Sequence, residues 1–394
     1  MTEQTHPGLI PDGLAETLLA LRRDLHRHPE LSLEEHRTAE RLVEALAAVP
    51  GATVEGVAET GVVARLRGRD RQSPTIAVRG DIDALPIQEE TGVPWASTTP
   101  GVMHACGHDV HAAWTVGAAH LLAADPPAGD VVIVLQPAEE TARGALAVLQ
   151  SGALAEVAAV VGAHVDVRFP VGTVVADPGP IAGSTDEFRI TVVGRGGHAA
   201  RPHEAHDPIV AAAAIVGALQ AIVARRLAPG EPGVVTVGMF QGGTAPNVIP
   251  DRVTLAGTLR AVRAETRSVL QRELTQTAEA VAAAHNVDAH VVVTPGTPPI
   301  VNAPGPTGWA REAVTRLLGE GALVSLPTFN LGGEDFAFYL ERMPGCFLRI
   351  GAAGPGEPAP AHTARFLPAD GAIAVGAAVL AETARVAARA LAGR

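Results

Sequence analysis

The segment Phe188–Gly197, FRITVVGRGG, alternates apolar and polar side chains and stops at glycines, the pattern of a strand with one buried face. Asp207–Leu227, DPIVAAAAIVGALQAIVARRL, follows as one long helix. Gly233–Gly243, GVVTVGMFQGG, and Asp251–Val262, DRVTLAGTLRAV, are two more strands. Glu265–Asn286 is a second helix, with Leu270, Leu274, Thr277, Ala278 and Val281 on one stripe, and Asp288–Pro295, DAHVVVTP, is a last strand. This β-α-β-β-α-β order specifies a ferredoxin-like module. Its composition begins near Gly183, and the Pro- and Gly-rich run Thr294–Gly308 marks the exit, so the module is expected over 183–296.

Outward from the module, 1–182 and 297–394 share a different style. Leu14, Leu18, Leu21 and Leu25 fall at helical spacing, and a second helix is expected from Leu33 to Ala48. GVVARLRG, TIAVRG, VVIVLQ and AAVVGAH read as strands, with helices over Val110–Ala124 and Ala142–Leu149. After the module a helix and the strand CFLRIG resume this style. The expected architecture is an α/β domain with a mostly parallel sheet flanked by helices, made from both ends of the chain and interrupted by the module.

Composition excludes several classes. A formal net charge of −12, with no lysine, argues against nucleic-acid binding, and 3% aromatic residues leave few platforms for stacking bases. No run approaches the roughly 18 uninterrupted apolar residues of a membrane span. The polar start MTEQTHPGLIPDG lacks a signal-peptide pattern, and two cysteines rule out a disulfide framework, so a reducing cytoplasm is expected.

In an open parallel sheet, ligands collect beyond the carboxyl ends of strands. TIAVRG runs into Asp81 and Asp83, VVIVLQPA into Glu139 and Glu140, AAVVGA into His164, and CFLRIG, after a Gly/Pro loop, into His362. The stretch His104–His111, HACGHDVH, adds a thiol and three imidazoles just before a helix. Each residue alone has an ordinary alternative. A cytosolic cysteine is usually a small buried hydrophobe, which is the reading for Cys346. Paired glutamates can be an acidic first helical turn. Delivery of all of them to one sheet edge favours metal ligation at Cys106 and His108, with His104 and His111 in hydrogen-bonding support.

At these residues the chain resembles the dinuclear metal amidohydrolases of the hippurate hydrolase, N-acyl-amino-acid hydrolase and auxin-conjugate hydrolase type. These belong to the aminoacylase and zinc carboxypeptidase superfamily, which carries an inserted lid domain. The resemblance rests on LRRDLHRHPELSLEE, RGDIDALPIQEETGVPW, HACGHDVHAA, LQPAEET, GRGGHAARPHEAHDPI, GGTAPNVIPDRVTLAGTLR and GGEDFAFYLERMPG, in that order along nearly the whole chain. It implies Cys106, His108, Glu140, His164 and His362 as ligands of two divalent ions, and Glu139 as general base. Where the superfamily has a His-x-Asp motif, this chain has Asp81-x-Asp83, the pattern of the cysteine-using branch, with Asp83 orienting a ligand. It further implies that His198 reaches across a homodimer, possible also as a tetramer, into the partner's site. Asn247 and Arg260 would hold a substrate carboxylate, with His203 a weaker candidate, while Glu334 and Asp335 cap the following helix.

The implied reaction is hydrolysis of the amide of an N-acyl amino acid. A thiolate with imidazoles suits zinc, nickel or cobalt, and the resemblance adds manganese. Carboxypeptidase, diaminopimelate-derivative deacylase and carbamoyl-amino-acid hydrolase activities would use the same centre. Two remoter readings are an amidase with Cys106 as nucleophile, activated by His108 or His111, and a non-catalytic binding protein on the same fold.

Overall fold

A computed structural model describes residues 8–354 and 356–393. The first seven residues of the polar N-terminal stretch lie outside them. The described residues fall into two compact units: Pro180–Ile300 with Thr328–Gly333, and the remainder of the chain.

The larger unit is built on an eight-stranded sheet. Its order is Thr53–Val57, Gly61–Leu66, Val131–Gln136, Thr75–Asp81, Val157–Pro170, Gly345–Ala353, Val174–Val175 and Leu323–Val324. The four central strands run parallel to one another, and antiparallel neighbours flank them on both sides. The central strands are buried along nearly their whole length, which is why they read as continuous Val/Ile/Leu runs rather than as alternating ones. Helix His108–Ala124 is buried at all but a few positions and packs on the equally buried helix Ala372–Ala392, so neither shows a one-sided apolar stripe. Helix Asp12–Arg27 packs on the first of these through Leu18, Leu21 and Leu25, and Leu14 stays at the margin of the core.

One expectation needs correction and one strand is added. Val157–Pro170 is a 14-residue strand, so His164 lies within it rather than after it. Its pairing with Thr75–Asp81 stops at Gly162, which still places His164 just past the edge on that side. Thr53–Val57, TVEGV, is a strand that goes unread in the sequence because glutamate and glycine interrupt the apolar pattern.

The smaller unit has the element order β-α-β-β-α-β. Its four strands pair antiparallel in the order Gly233–Gly242, Arg252–Ala261, Ser184–Val193 and Asp288–Pro295. Phe188, Ile190, Val192, Val253, Leu255 and Leu259 form one face, covered by Ala211, Ile215, Leu219 and Ile222 of helix Pro208–Arg226 and by Leu270, Leu274 and Ala278 of helix Ala264–Ala284. Helix Pro208–Arg226 is long and apolar enough by length and composition to cross a membrane, yet its buried residues belong to this core. Thr328–Gly333 joins this unit through the Ala182–Asn330 bridge, a return that the sequence does not announce.

Candidate metal centre

The loop before helix His108–Ala124 turns at Gly107, which caps the helix at φ 90°. A Cβ there would sit 2.7 Å from Val165 Cγ2, so a side chain is excluded by both conformation and space. This turn places Cys106 and His108 on one side. Cys106 Sγ lies 3.2 Å from His164 Nε2. His164 donates its Nδ1–H to the Val165 carbonyl at 2.7 Å, leaving the Nε2 lone pair to face the thiol. His108 Nδ1 is held by the Asp83 carbonyl at 2.9 Å and by Asp83 Oδ1 at 3.1 Å, and its buried Nε2 has no hydrogen-bond partner among the described residues, facing Asp81, Glu139 and Glu140 at 3.8–3.9 Å.

Opposite them, the loop after Val131–Gln136 carries the paired glutamates. Ala138 adopts φ 50°, a left-handed conformation rare for alanine, and its N–H is held at 2.8 Å by the buried Glu35 carboxylate. Gly144 closes the same turn, where a Cβ would come within 1.6 Å of the Pro137 carbonyl oxygen. Asp83 joins the two sides: its Oδ2 accepts from Ser32 Oγ at 2.7 Å and from the Glu140 N–H at 3.0 Å, while Oδ1 holds His108. His362, itself at φ 64°, brings Nε2 to 3.5 Å from Glu140 Oε1.

Five groups of three donors occur among the described residues, and three of them hold the expected ligands. Cys106, His108 and His164 form one; Cys106, Glu140 and His362 a second; His108, Glu139 and Glu140 a third. In each, the donor atoms lie within 4.8 Å of one another. The five residues expected as ligands are therefore gathered, together with Glu139. His108 Nε2 and Glu140 Oε1, buried without a hydrogen-bond partner among the described residues in an acidic and sulfur-bearing set, fit divalent cations.

Electrostatics agree with that fit. Burial, reinforced by Glu334, Asp335 and Glu140, pushes the Glu139 carboxyl well up. Burial, with Glu140 adding to it, pushes the Cys106 thiol up to about 12. A dication would relieve both. Burial would raise Asp83, but its hydrogen bond to His108 and the charge on that ring outweigh it and hold the carboxylate low.

His104 departs from expectation. Neither ring nitrogen has a partner among the described residues, and burial presses the ring down to about 4, so it is a neutral buried ring rather than a hydrogen-bonding support. His111 does serve as support: Asp81 Oδ1 is 2.6 Å from its Nδ1, and its Nε2 accepts the Val165 N–H at 2.9 Å. With both nitrogens engaged, His111 has no lone pair left for a metal. It fixes the strand next to His164 instead.

Behind Glu139 lies a network whose members are far apart in the sequence. Arg79 is fully buried and holds Asp81 at 2.6 Å, Asp335 at 3.0 Å and Glu334 at 3.1 Å. Asp335 also accepts from Gln136 Nε2 and from the Ala145 N–H, both at 2.9 Å. Glu334 accepts from the Phe336 N–H at 3.0 Å, as a cap would, but the expected capping role for Asp335 gives way to this ion-paired cluster. The Asp335 N–H in turn points to Glu139 Oε1 at 3.4 Å.

In the smaller unit, the short pair Gly197–His198 and Val248–Ile249 brings His198 and Asn247 together, the Ala199 N–H donating to the Asn247 carbonyl at 3.1 Å. Both line a cavity of about 700 Å³. His198 is exposed. Its Nδ1 accepts the Ala200 N–H at 3.1 Å, which leaves Nε2–H free as a donor. Arg260, half-buried on Arg252–Ala261 opposite Val234 and Thr185, does not line that cavity. His203 is exposed beside Glu204 in a short 3-10 turn.

Residues 77–386 match the sequence pattern of Peptidase family M20/M25/M40. The chain belongs to this family. Within M20, it is 40% identical over 357 residues to N-acetyl-L-cysteine deacetylase of Bacillus subtilis, covering 90% of this chain and 84% of the relative. It is 38% identical over 342 residues to IAA-amino acid hydrolase ILR1-like 2 of Arabidopsis thaliana, covering 85% and 76%. Among solved M20 structures, the Bacillus subtilis YXEP protein, described as a dinuclear metal binding peptidase, superposes with a TM-score of 0.86 at 36% identity, covering 96% of this chain and 99% of that one.

Proposed function

We propose that this chain is a metal-dependent amidohydrolase that cleaves the amide of N-acyl amino acids. The observation carrying this reading is the gathering of Cys106, His108, Glu140, His164 and His362 around open donor atoms, with Glu139 beside them. The names of its M20 relatives point to the same substrate class. Cys106, His108, Glu140, His164 and His362 would hold two divalent ions, zinc or manganese first, with nickel or cobalt possible by donor type. When bound, such ions acidify a water and polarise an acyl oxygen.

The remaining steps fall to the chain's own residues. Glu139, ionised once bound cations offset the burial that raises its carboxyl, accepts the proton of the attacking water and passes it to the leaving amine nitrogen. The products are a carboxylic acid and a free amino acid. Asp83 keeps His108 on the Nδ1–H tautomer and fixes the Glu140 backbone. The free Nε2–H of His198 suits stabilisation of a developing oxyanion. We assign it to the partner's site in a homodimer formed through the smaller unit acting as lid, with Asn247, Arg260 and His203 toward the substrate carboxylate. Cytoplasmic placement accords with two free, buried cysteines.

The cysteine-nucleophile alternative fares worse. A nucleophile needs a lowered thiol pKa, whereas this thiol is pushed up, and His111 is committed elsewhere. A panel of N-acetyl, N-benzoyl and indole-acyl amino acids, assayed with zinc or manganese and then with chelator, tests the reading. Turnover should vanish on chelation and return with metal; turnover that survives chelation would refute it. Mixing His198→Ala with Glu139→Gln should restore part of the activity that each lacks alone, and no recovery would refute a site shared between subunits.

A further inference from the structure

Among the described residues three arginines are buried: Arg22, Arg79 and Arg349. Arg22 is paired with Asp109 and Asp370, and Arg79 with Asp81, Glu334 and Asp335. Arg349 is 7% exposed and its side chain has neither a hydrogen bond nor an ion pair among the described residues; its protein contact of note is the face of Phe347, 5.6 Å from the guanidinium. A guanidinium cannot shed its charge, so leaving it buried and unpaired is costly.

Its position explains the arrangement. Arg349 is the register partner of His164 on the adjacent parallel strand, so the two side chains share a face of the sheet. Asp166, Glu334 and Cys106 all lie near enough to act on its charge, yet none bonds it. Its Nε is shut off from solvent, while the two terminal nitrogens, which also lack partners, reach accessible space. Cys106, His164 and Glu139 show the same slight exposure, 7%, 9% and 9%.

We propose that Arg349 receives a carboxylate of the substrate beside the metal centre, and so sets specificity for anionic amides. Arginine suits this task because its planar fork binds a carboxylate through two parallel N–H donors. The carboxylate belongs either to a dicarboxylic acyl group or to the amino acid, the latter in place of the assignment to Asn247, Arg260 and His203. The proposal rests on the amidohydrolase reading, and the test separates the two.

The full chain and its Arg349→Met and Arg349→Lys variants are assayed on N-acetyl-alanine, N-acetyl-alaninamide and N-succinyl-alaninamide, and melted with succinate or succinamide. Arg349→Met should lose about 100-fold in kcat/KM on the substrate whose carboxylate is recognised, and less than about threefold on the neutral acetyl amide. A loss confined to N-acetyl-alanine identifies the α-carboxylate; a loss confined to the succinyl amide identifies the acyl side. Succinate, but not succinamide, should raise the melting temperature of the parent chain and not that of Arg349→Met. Arg349→Lys should fall between, and decides the matter if Arg349→Met does not fold. Equal losses on charged and neutral substrates, or a succinate response unchanged in the variants, would overturn the proposal. A parent chain inert on every substrate, but with an Arg349-dependent succinate response, would sink the hydrolase reading and leave the anion site standing.

Discussion

Glu139→Gln should lose about 10²–10⁴-fold in kcat on N-acyl amino acids while keeping its metal content. The amide keeps the size of the side chain and an acceptor for the Asp335 N–H, which lies 3.4 Å from Glu139 Oε1. It cannot take a proton. Burial and like charge raise this carboxyl, and bound cations would offset that, leaving a carboxylate able to take a proton from water and return it to the leaving group. The loss should fall on kcat rather than KM, since no ligand or substrate-holding group changes. A variant that retains a large part of its turnover would refute the base assignment.

Asp109→Asn should be the most destabilising single change, about 3–5 kcal/mol in chemical denaturation. Asp109 stands in the first turn of helix His108–Ala124, with Oδ2 2.7 Å from Arg22 Nε and 2.8 Å from His26 Nδ1, all fully buried. The substitution leaves two buried cationic groups short of a partner; Arg22 retains Asp370 at 2.7 Å and His26 retains Glu89 at 3.2 Å. Burial would raise the Asp109 carboxyl, but Arg22 and His26 outweigh it and hold it far below the ordinary range. Its contribution is therefore present above the unfolded value near 3.9 and lost as pH falls through the folded one. The His26 ring shifts the other way. Burial lowers it, but Asp109 and Glu89 prevail and raise it, so its share is full below about 6.5 and lost as pH rises through the folded value. In Asp109→Asn the acid-side loss should flatten. A variant as stable as the parent would show that the cluster adds nothing.

The residues proposed as ligands are legible because Glu140 follows an apolar strand, His164 lies in one, His362 comes a Gly/Pro loop after one, and Cys106 and His108 cluster at a helix start. The module was legible because its strands alternate and its helices carry stripes. Arg79 and Arg349 were not legible: each sits inside an apolar strand, TIAVRG or CFLRIG, and its meaning depends on residues far away in the chain. Arg79 is buried because Glu334 and Asp335 arrive more than 250 residues later. Asp335 stood beside a short helix and invited a local capping role, yet its partners Arg79, Gln136 and Ala145 come from the sheet and the loop behind the base. His104 stands two residues before Cys106 and suggests a supporting role, yet neither of its ring nitrogens has a hydrogen-bond partner among the described residues.

The most direct test of the central claim is the metal stoichiometry of the purified chain, titrated with zinc or manganese and read by elemental analysis. The parent should bind two equivalents per subunit. Cys106→Ser should bind fewer, because the thiol belongs to both the His164 and the His362 donor groups. A parent chain that binds one equivalent or none while still hydrolysing N-acyl amino acids would contradict the two-metal centre.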